Sequence, residues 1–179
     1  GSHTTDYNSL VVLTHFKGHT QGGFGGSNKN IGIGCADGRI GKAWIHTTPG
    51  QDNQWDIREE EFMERMTEST KAVIDYFAAL VIVMMVMLVP LVTPNVGIFS
   101  STDILALDQA CVDLVYAMTE AEHHDLVERI ESRHGLRQLS YMKELGMGND
   151  RYILIDLDNG GKRITAAEAV KGLKPFVKE

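Results

Sequence analysis

No charged residue appears between Asp75 and Asp103. A stretch that long without charge cannot lie open to water, so it restricts the chain to two architectures. It either crosses a bilayer or forms the centre of a packed sheet. The run AALVIVMMVMLVPLV (78–92) is shorter than the ~20 apolar residues a span needs. It also carries Pro90, and Thr93, Pro94 and Asn95 close it. A buried strand or helix end is therefore expected over 78–92, and no membrane span.

The flanking segments fit a sheet. SLVVLTHF (9–16) and VGIFSS (96–101) read as buried strands. IREEEFMERMTESTKAVIDYF (57–77) places Ile57, Phe62, Met63, Met66, Val73, Ile74 and Phe77 at helical spacing, with acids in the first turns. Thr102 or Asp103 can cap a helix running to about Met118. TEAE (119–122) has the form of a capping box and starts a helix towards His134, which Gly135 stops. A further helix is expected over 136–148, a strand over 151–158 with the turn DNGG after it, and a short capped helix over 165–173. Strands and helices alternate, so the expectation is one α/β domain over residues 1–179, with a mixed or mostly parallel sheet flanked by helices.

The formal charge of −7 argues against a nucleic-acid partner. Two cysteines, Cys35 and Cys111, are too few for a disulfide framework. With no secretory signal pattern at the start, the expected location is cytoplasmic.

The chemistry concentrates in HFKGHTQGGFGGSNKNIGIGC, His15 to Cys35, which threads two histidines, two lysines and two asparagines through seven glycines. It follows a strand directly, the place where open α/β sheets bind ligands. It is neither a dinucleotide fingerprint nor a Walker loop. Read as a glycine-rich loop, its backbone N–H groups form an anion-binding nest. Gly25, Gly26, Ser27, Asn28, Lys29 and Asn30 are then the ligand contacts. His15, Lys17 and His19 are the candidate catalytic groups, moving a proton or, for the histidines, holding a metal. Ser100, Ser101 and Asp103, between a strand and a helix start, form a second anion-binding candidate. ADGRIGKAWIHTTPG (36–50) adds Lys42 and His46, and reads equally well as a solvated turn. Asp108, inside an apolar helix, is expected to be exposed or paired with the lysines of the glycine segment. Arg133 and Arg137 suit a helix end, or recognition of a carboxylate or phosphate.

Three stretches in this order, HFKGHTQGGFGGSNKNIGIGC, GIFSSTDILALDQACVDLVY and GLRQLSYMKELGMGNDRYILID, make the chain resemble domain-of-unknown-function family 362. The resemblance implies an α/β domain, redox work and an association with iron–sulfur clusters, with Cys35 the candidate metal ligand here. It also implies that the chain corresponds to the C-terminal part of a longer architecture. Members carry a Cys-x-Cys pair in the region that here reads VMMVMLVPLV, without cysteine. The leading expectation is a redox-associated protein binding a small anionic ligand or cofactor, with a redox partner protein. The alternatives are acid–base chemistry on a small carboxylate, and a non-catalytic subunit that docks a partner or forms a homo-oligomer.

Overall fold

A computed structural model of the chain describes residues 3–47, 57–77 and 93–174, and the backbone of 81–87. The parts of the apolar run at 78–80 and 88–92 lie outside the described residues.

The central sheet has the order β1 (Leu10–His15), β4 (Val81–Met87), β5 (Gly97–Ser101). β1 and β4 run parallel, and β4 and β5 antiparallel. The expected α/β domain is present and its sheet is mixed. Along β1 the side chains alternate as a half-buried strand requires: Val12 and Thr14 are buried, Val11 and Leu13 exposed.

Between β1 and β4 the chain forms a hairpin of β2 (Lys17–His19) and β3 (Gly23–Gly25), then helices α1 (Ser27–Gly34), α2 (Gly41–His46) and α3 (Glu59–Phe77). The glycine-rich segment is thus a hairpin followed by a helix, where a loop was expected. Phe16 and Phe24 are fully buried and stack with ring centroids 5.3 Å apart, pinning the hairpin to the core.

After β5 come α4 (Ile104–Ala117), α5 (Glu120–Ser132) and α6 (Arg137–Glu144). Asp103 caps α4, its Oδ1 accepting the Ala106 N–H at 2.9 Å. Both expected capping boxes form, at Thr119–Glu122 and Thr165–Glu168. α4 is apolar on most of its circumference and runs through the main core, burying Ile104, Leu105, Leu107, Cys111, Leu114 and Val115. The expected strand over 151–158 shrinks to β6 (Leu154–Asp156), which turns through DNGG into β7 (Lys162–Ile164) ahead of α7 (Ala166–Val170). Among the described residues no helix is long and apolar enough to cross a membrane.

Candidate functional site

The glycine segment answers first to packing. A Cβ on Gly32 would stand 2.4 Å from the Met66 carbonyl oxygen and 2.7 Å from Thr70 Oγ1, so only glycine lets α1 lie this close to α3. Across that seam Thr70 Oγ1 donates to the Asn28 carbonyl at 2.8 Å and Ser69 Oγ to the Gly32 carbonyl at 2.9 Å. Gly26 has the same constraint towards α4, where a Cβ would meet the Asp108 carboxylate at 2.7 Å.

That carboxylate occupies the N-terminus of α1. Ser27 N–H donates to Asp108 Oδ1 at 2.8 Å, and Asn28 N–H to Oδ2 at 3.0 Å. Asp108 is fully buried, and burial pushes its carboxyl up to about 6, against the pull of these backbone donors. It is therefore neither exposed nor paired with a lysine, as the sequence suggested. The helix dipole and two N–H groups stabilise its charge instead. Asn28 is also fully buried, and its Nδ2 donates to Thr67 Oγ1 at 2.9 Å. Gln138 of α6 completes the cage, donating from Nε2 to the Gly22 carbonyl at 2.7 Å and the Phe24 carbonyl at 3.1 Å.

Gly25, Gly26, Ser27 and Asn28, expected as ligand contacts, are thus buried; the Ser27 and Asn28 N–H groups and Asn28 Nδ2 are engaged from within, while Ser27 Oγ and Asn28 Oδ1 have no hydrogen-bond partner among the described residues. Asn30 is likewise engaged, its Nδ2 donating to the Leu13 carbonyl and Thr14 Oγ1, both at 2.9 Å. Ser101 Oγ accepts the Asp103 N–H at 2.9 Å. Asp103 also accepts the Asn149 N–H at 2.9 Å, so this second candidate is a helix cap tied to the 148–149 turn. Ser100 is exposed on β5. Arg137 is held by Glu64 and Glu144, both at 2.6 Å.

The segment's charged side chains face the other way. His19, Lys29, Lys42, His46, Arg133 and Glu59 line a cleft of about 690 Å³, with Ile33 and Ile57 as its apolar part. His19 sits at the end of β2, where its Nδ1 accepts the Gly22 N–H at 3.0 Å and the Gln21 N–H at 3.3 Å. A backbone N–H can only donate, so Nδ1 is unprotonated and the neutral ring carries its hydrogen on Nε2. Burial, then Lys29 and Lys17, hold this ring's pKa down to about 4. His46 has the opposite arrangement. Its Nδ1 lies 2.7 Å from the Lys42 carbonyl, which can only accept, so Nδ1 carries the hydrogen. Phe62 packs against that ring with centroids 4.9 Å apart.

Lys29 projects from the first turn of α1 and Lys42 from α2. Burial and the neighbouring Lys17 and Lys42 lower the Lys29 pKa. Among the described residues none of Lys17, Lys29 and Lys42 forms an ion pair with a carboxylate. Arg133 is partly neutralised by Glu59 at 3.0 Å.

Of the expected catalytic groups, the cleft takes His19. Lys17 is exposed on β2, near enough to act electrostatically on His19 and Lys29. His15 is exposed at the end of β1 and does not line the cleft. Lys42 and His46 join it because 41–46 is helical, which puts residues four apart on one face. A GKAWIH reading at helical period carries that signal.

The residues present do not fit an iron–sulfur cluster. Cys111 is fully buried in the main core, and Cys35 is partly buried against the same core at the end of α1. These are the chain's two cysteines, against the four thiolates such clusters take. Among the described residues no group of three or more His, Cys, Asp or Glu side chains could hold a metal ion.

No curated protein and no solved structure matches the chain. The sequence model of the family described as a domain of unknown function (DUF362) matches residues 1–113. That span carries the hairpin, α1 to α3, Asp108 and the cleft residues His19, Lys29, Lys42 and His46, so the chain belongs to the DUF362 family.

Proposed function

We propose that the protein binds a small anionic ligand or anionic cofactor in the cleft between the β2–β3 hairpin, α1 and α2. One observation carries this reading. Three lysines gather at one place in a chain of net charge −7, without carboxylate partners among the described residues, and burial, reinforced by Lys17 and Lys42, lowers the Lys29 pKa. Such a cluster costs stability unless a ligand uses it. An anion in the cleft relieves the repulsion and accepts from the Lys29 and Lys42 ammoniums and from His19 Nε2–H.

The test is thermal stability against added inorganic phosphate. The wild-type protein is expected to gain stability with phosphate, and a Lys29→Ala, Lys42→Ala double variant to gain none beyond the general salt effect. Equal gains in both proteins contradict the assignment.

The opposite proton placements of His19 and His46 support a second reading, acid–base chemistry on a small carboxylate. His19 offers an N–H to a ligand in the cleft, and His46, its Nδ1 hydrogen held by the Lys42 carbonyl, lines the same cleft. Deuterium incorporation from D2O into carbon-bound positions of small carboxylates, abolished by His46→Phe, is the expected sign. No incorporation across the set removes this reading and leaves the binding site standing.

A further inference from the structure

We infer that the ligand of the cleft is a small phosphomonoester with an apolar alcohol part: a dianionic head on a short hydrocarbon body. The inference rests on the anion-binding reading and narrows it.

Volume sets the first limit. The cleft of about 690 Å³ lies in the range of ~300–1,000 Å³ that takes organic ligands, and a lone inorganic oxyanion fills only a corner of it. Its wall divides into two ends. Lys29 and Ile33 are four residues apart on α1, so they share one face and stand one turn, about 6 Å, from each other along the axis. The Lys29 end is cationic. Lys42 also lines the cleft, and Lys17 stands close enough to act on Lys29. The Ile33 end is apolar. Ile33 is half-buried and packs on the small core that contains Ile57, Phe62 and Met66, so the floor there is the outer wall of a hydrophobic cluster. At the rim Arg133 and Glu59 hold each other at 3.0 Å and largely cancel.

Charge selects the head. Lys29 and Lys42, with Lys17 beside them and no carboxylate paired to any of the three among the described residues, call for two negative charges. A phosphomonoester is a dianion above its second pKa of about 6, whereas a carboxylate or a sulfate ester carries one charge. Its three terminal oxygens match three donors: the two ammoniums and His19 Nε2–H, which the Gly22 N–H fixes as the donor by occupying Nδ1. Burial, then Lys29 and Lys17, keep that ring neutral, so it donates without adding charge. The ester oxygen then leads the carbon body along α1 onto Ile33, where each buried methylene raises affinity by about fourfold.

The experiment is calorimetric titration of the full chain, at about pH 8 where the phosphate heads are dianions, with inorganic phosphate, butyl phosphate, hexyl phosphate and butyl sulfate. Butyl phosphate is expected to bind at least about tenfold more tightly than inorganic phosphate, through its body, and at least about tenfold more tightly than butyl sulfate, through its charge. Ile33→Ser is expected to bring the first ratio towards one, and the Lys29→Ala, Lys42→Ala double variant the second. Hexyl phosphate is expected to add less than about threefold, because about four carbons cover the turn between Lys29 and Ile33. A larger gain would assign a lipid chain running out of the cleft and overturn the small-ester form. Inorganic and butyl phosphate binding equally overturn the inference while the anion site stands, and so does butyl sulfate binding as tightly as butyl phosphate. A first ratio that survives Ile33→Ser also overturns it. Absence of binding by all four compounds overturns both the inference and the anion-binding reading. The wild-type ratios decide by themselves should Ile33→Ser not fold.

Discussion

Helix α1 turns positive charge in two directions, inward through its N–H groups and outward through Lys29, and the two ends of the comparison are adjacent residues. Ser27 and Asn28 turn their N–H groups inward onto the Asp108 carboxylate, a fully buried internal anion supplied by α4. Lys29 turns outward into a cleft with Lys42 and His19, where no carboxylate of the described chain pairs with the lysines. In the inner site the Ser27 and Asn28 N–H groups have their acceptor within the fold. The outer cleft gathers Lys29, Lys42 and His19, and is where we propose an external anion binds. Glycine richness therefore reports the inner site, where close approach at Gly26 and Gly32 is required, and says little about the outer one.

The largest expected effect separates the two sites. Asp108→Ala leaves two buried N–H groups without an acceptor and is expected to cost about 2–4 kcal/mol in urea unfolding. A cost within error would mean that the α1 N-terminus does not depend on this carboxylate. Gly32→Ala, which drives a methyl into the Met66 carbonyl, is expected to cost about 1–3 kcal/mol. In the outer cleft the sign of the stability effect reverses. Lys29→Ala is expected to leave stability unchanged or slightly raised, while weakening phosphate binding about tenfold, or ~1.4 kcal/mol. A stability loss like that of the inner variants would make Lys29 a structural residue.

Acid titration sharpens the same contrast, because the two sites carry opposite signs. Asp108 has its pKa raised from 3.8 to about 6, so between those values the folded state holds more protons than the unfolded chain. Its contribution falls as pH rises from about 4 to about 6. His19 has its pKa lowered from 6.5 to about 4, so there the unfolded chain holds more protons, and its contribution rises with pH across nearly the same window. In the wild-type protein the two slopes oppose each other. Asp108→Asn is expected to make stability climb more steeply with pH over that range, and His19→Asn to make it climb less. Urea unfolding at intervals from pH 4 to about 7 reads both; identical slopes in all three proteins contradict the placement of these groups. At the small end, Glu60→Gln removes the exposed Glu60–His134 pair and is expected to leave the melting temperature unchanged.

Much of the frame was legible in the sequence. β1, α3 and α4 follow their hydrophobic periods, β5 forms where VGIFSS was read but with none of its residues buried, and both capping boxes stand where Thr119–Glu122 and Thr165–Glu168 place them. The glycine segment was not legible as a hairpin and helix. SNKNIGIG has poor intrinsic helicity, and what holds it lies far along the chain: Asp108 at 81 and 80 residues' separation, Thr70 at 42 and Gln138 at 110. The same distance hid the site's true membership. A run of N–H donors looks alike in sequence whether its acceptor is a ligand or a buried aspartate, so Gly25 to Asn28 and Ser100 to Asp103 read as anion sites. Lys42 and His46 were ambiguous until 41–46 proved helical. His19 and Lys29, which the sequence grouped in the glycine segment, line one cleft.

The central claim is that the outer cleft, and not the α1 N-terminus, is where the protein takes an external anion. It is tested most directly by titrating inorganic phosphate into isotope-labelled protein and following backbone amide and histidine ring signals by NMR. The account predicts saturable shifts at His19, Gln21, Lys29, Lys42 and His46, with the Ser27 and Asn28 amides unmoved. Saturable shifts centred on Ser27 and Asn28, or none at the cleft residues, would contradict it.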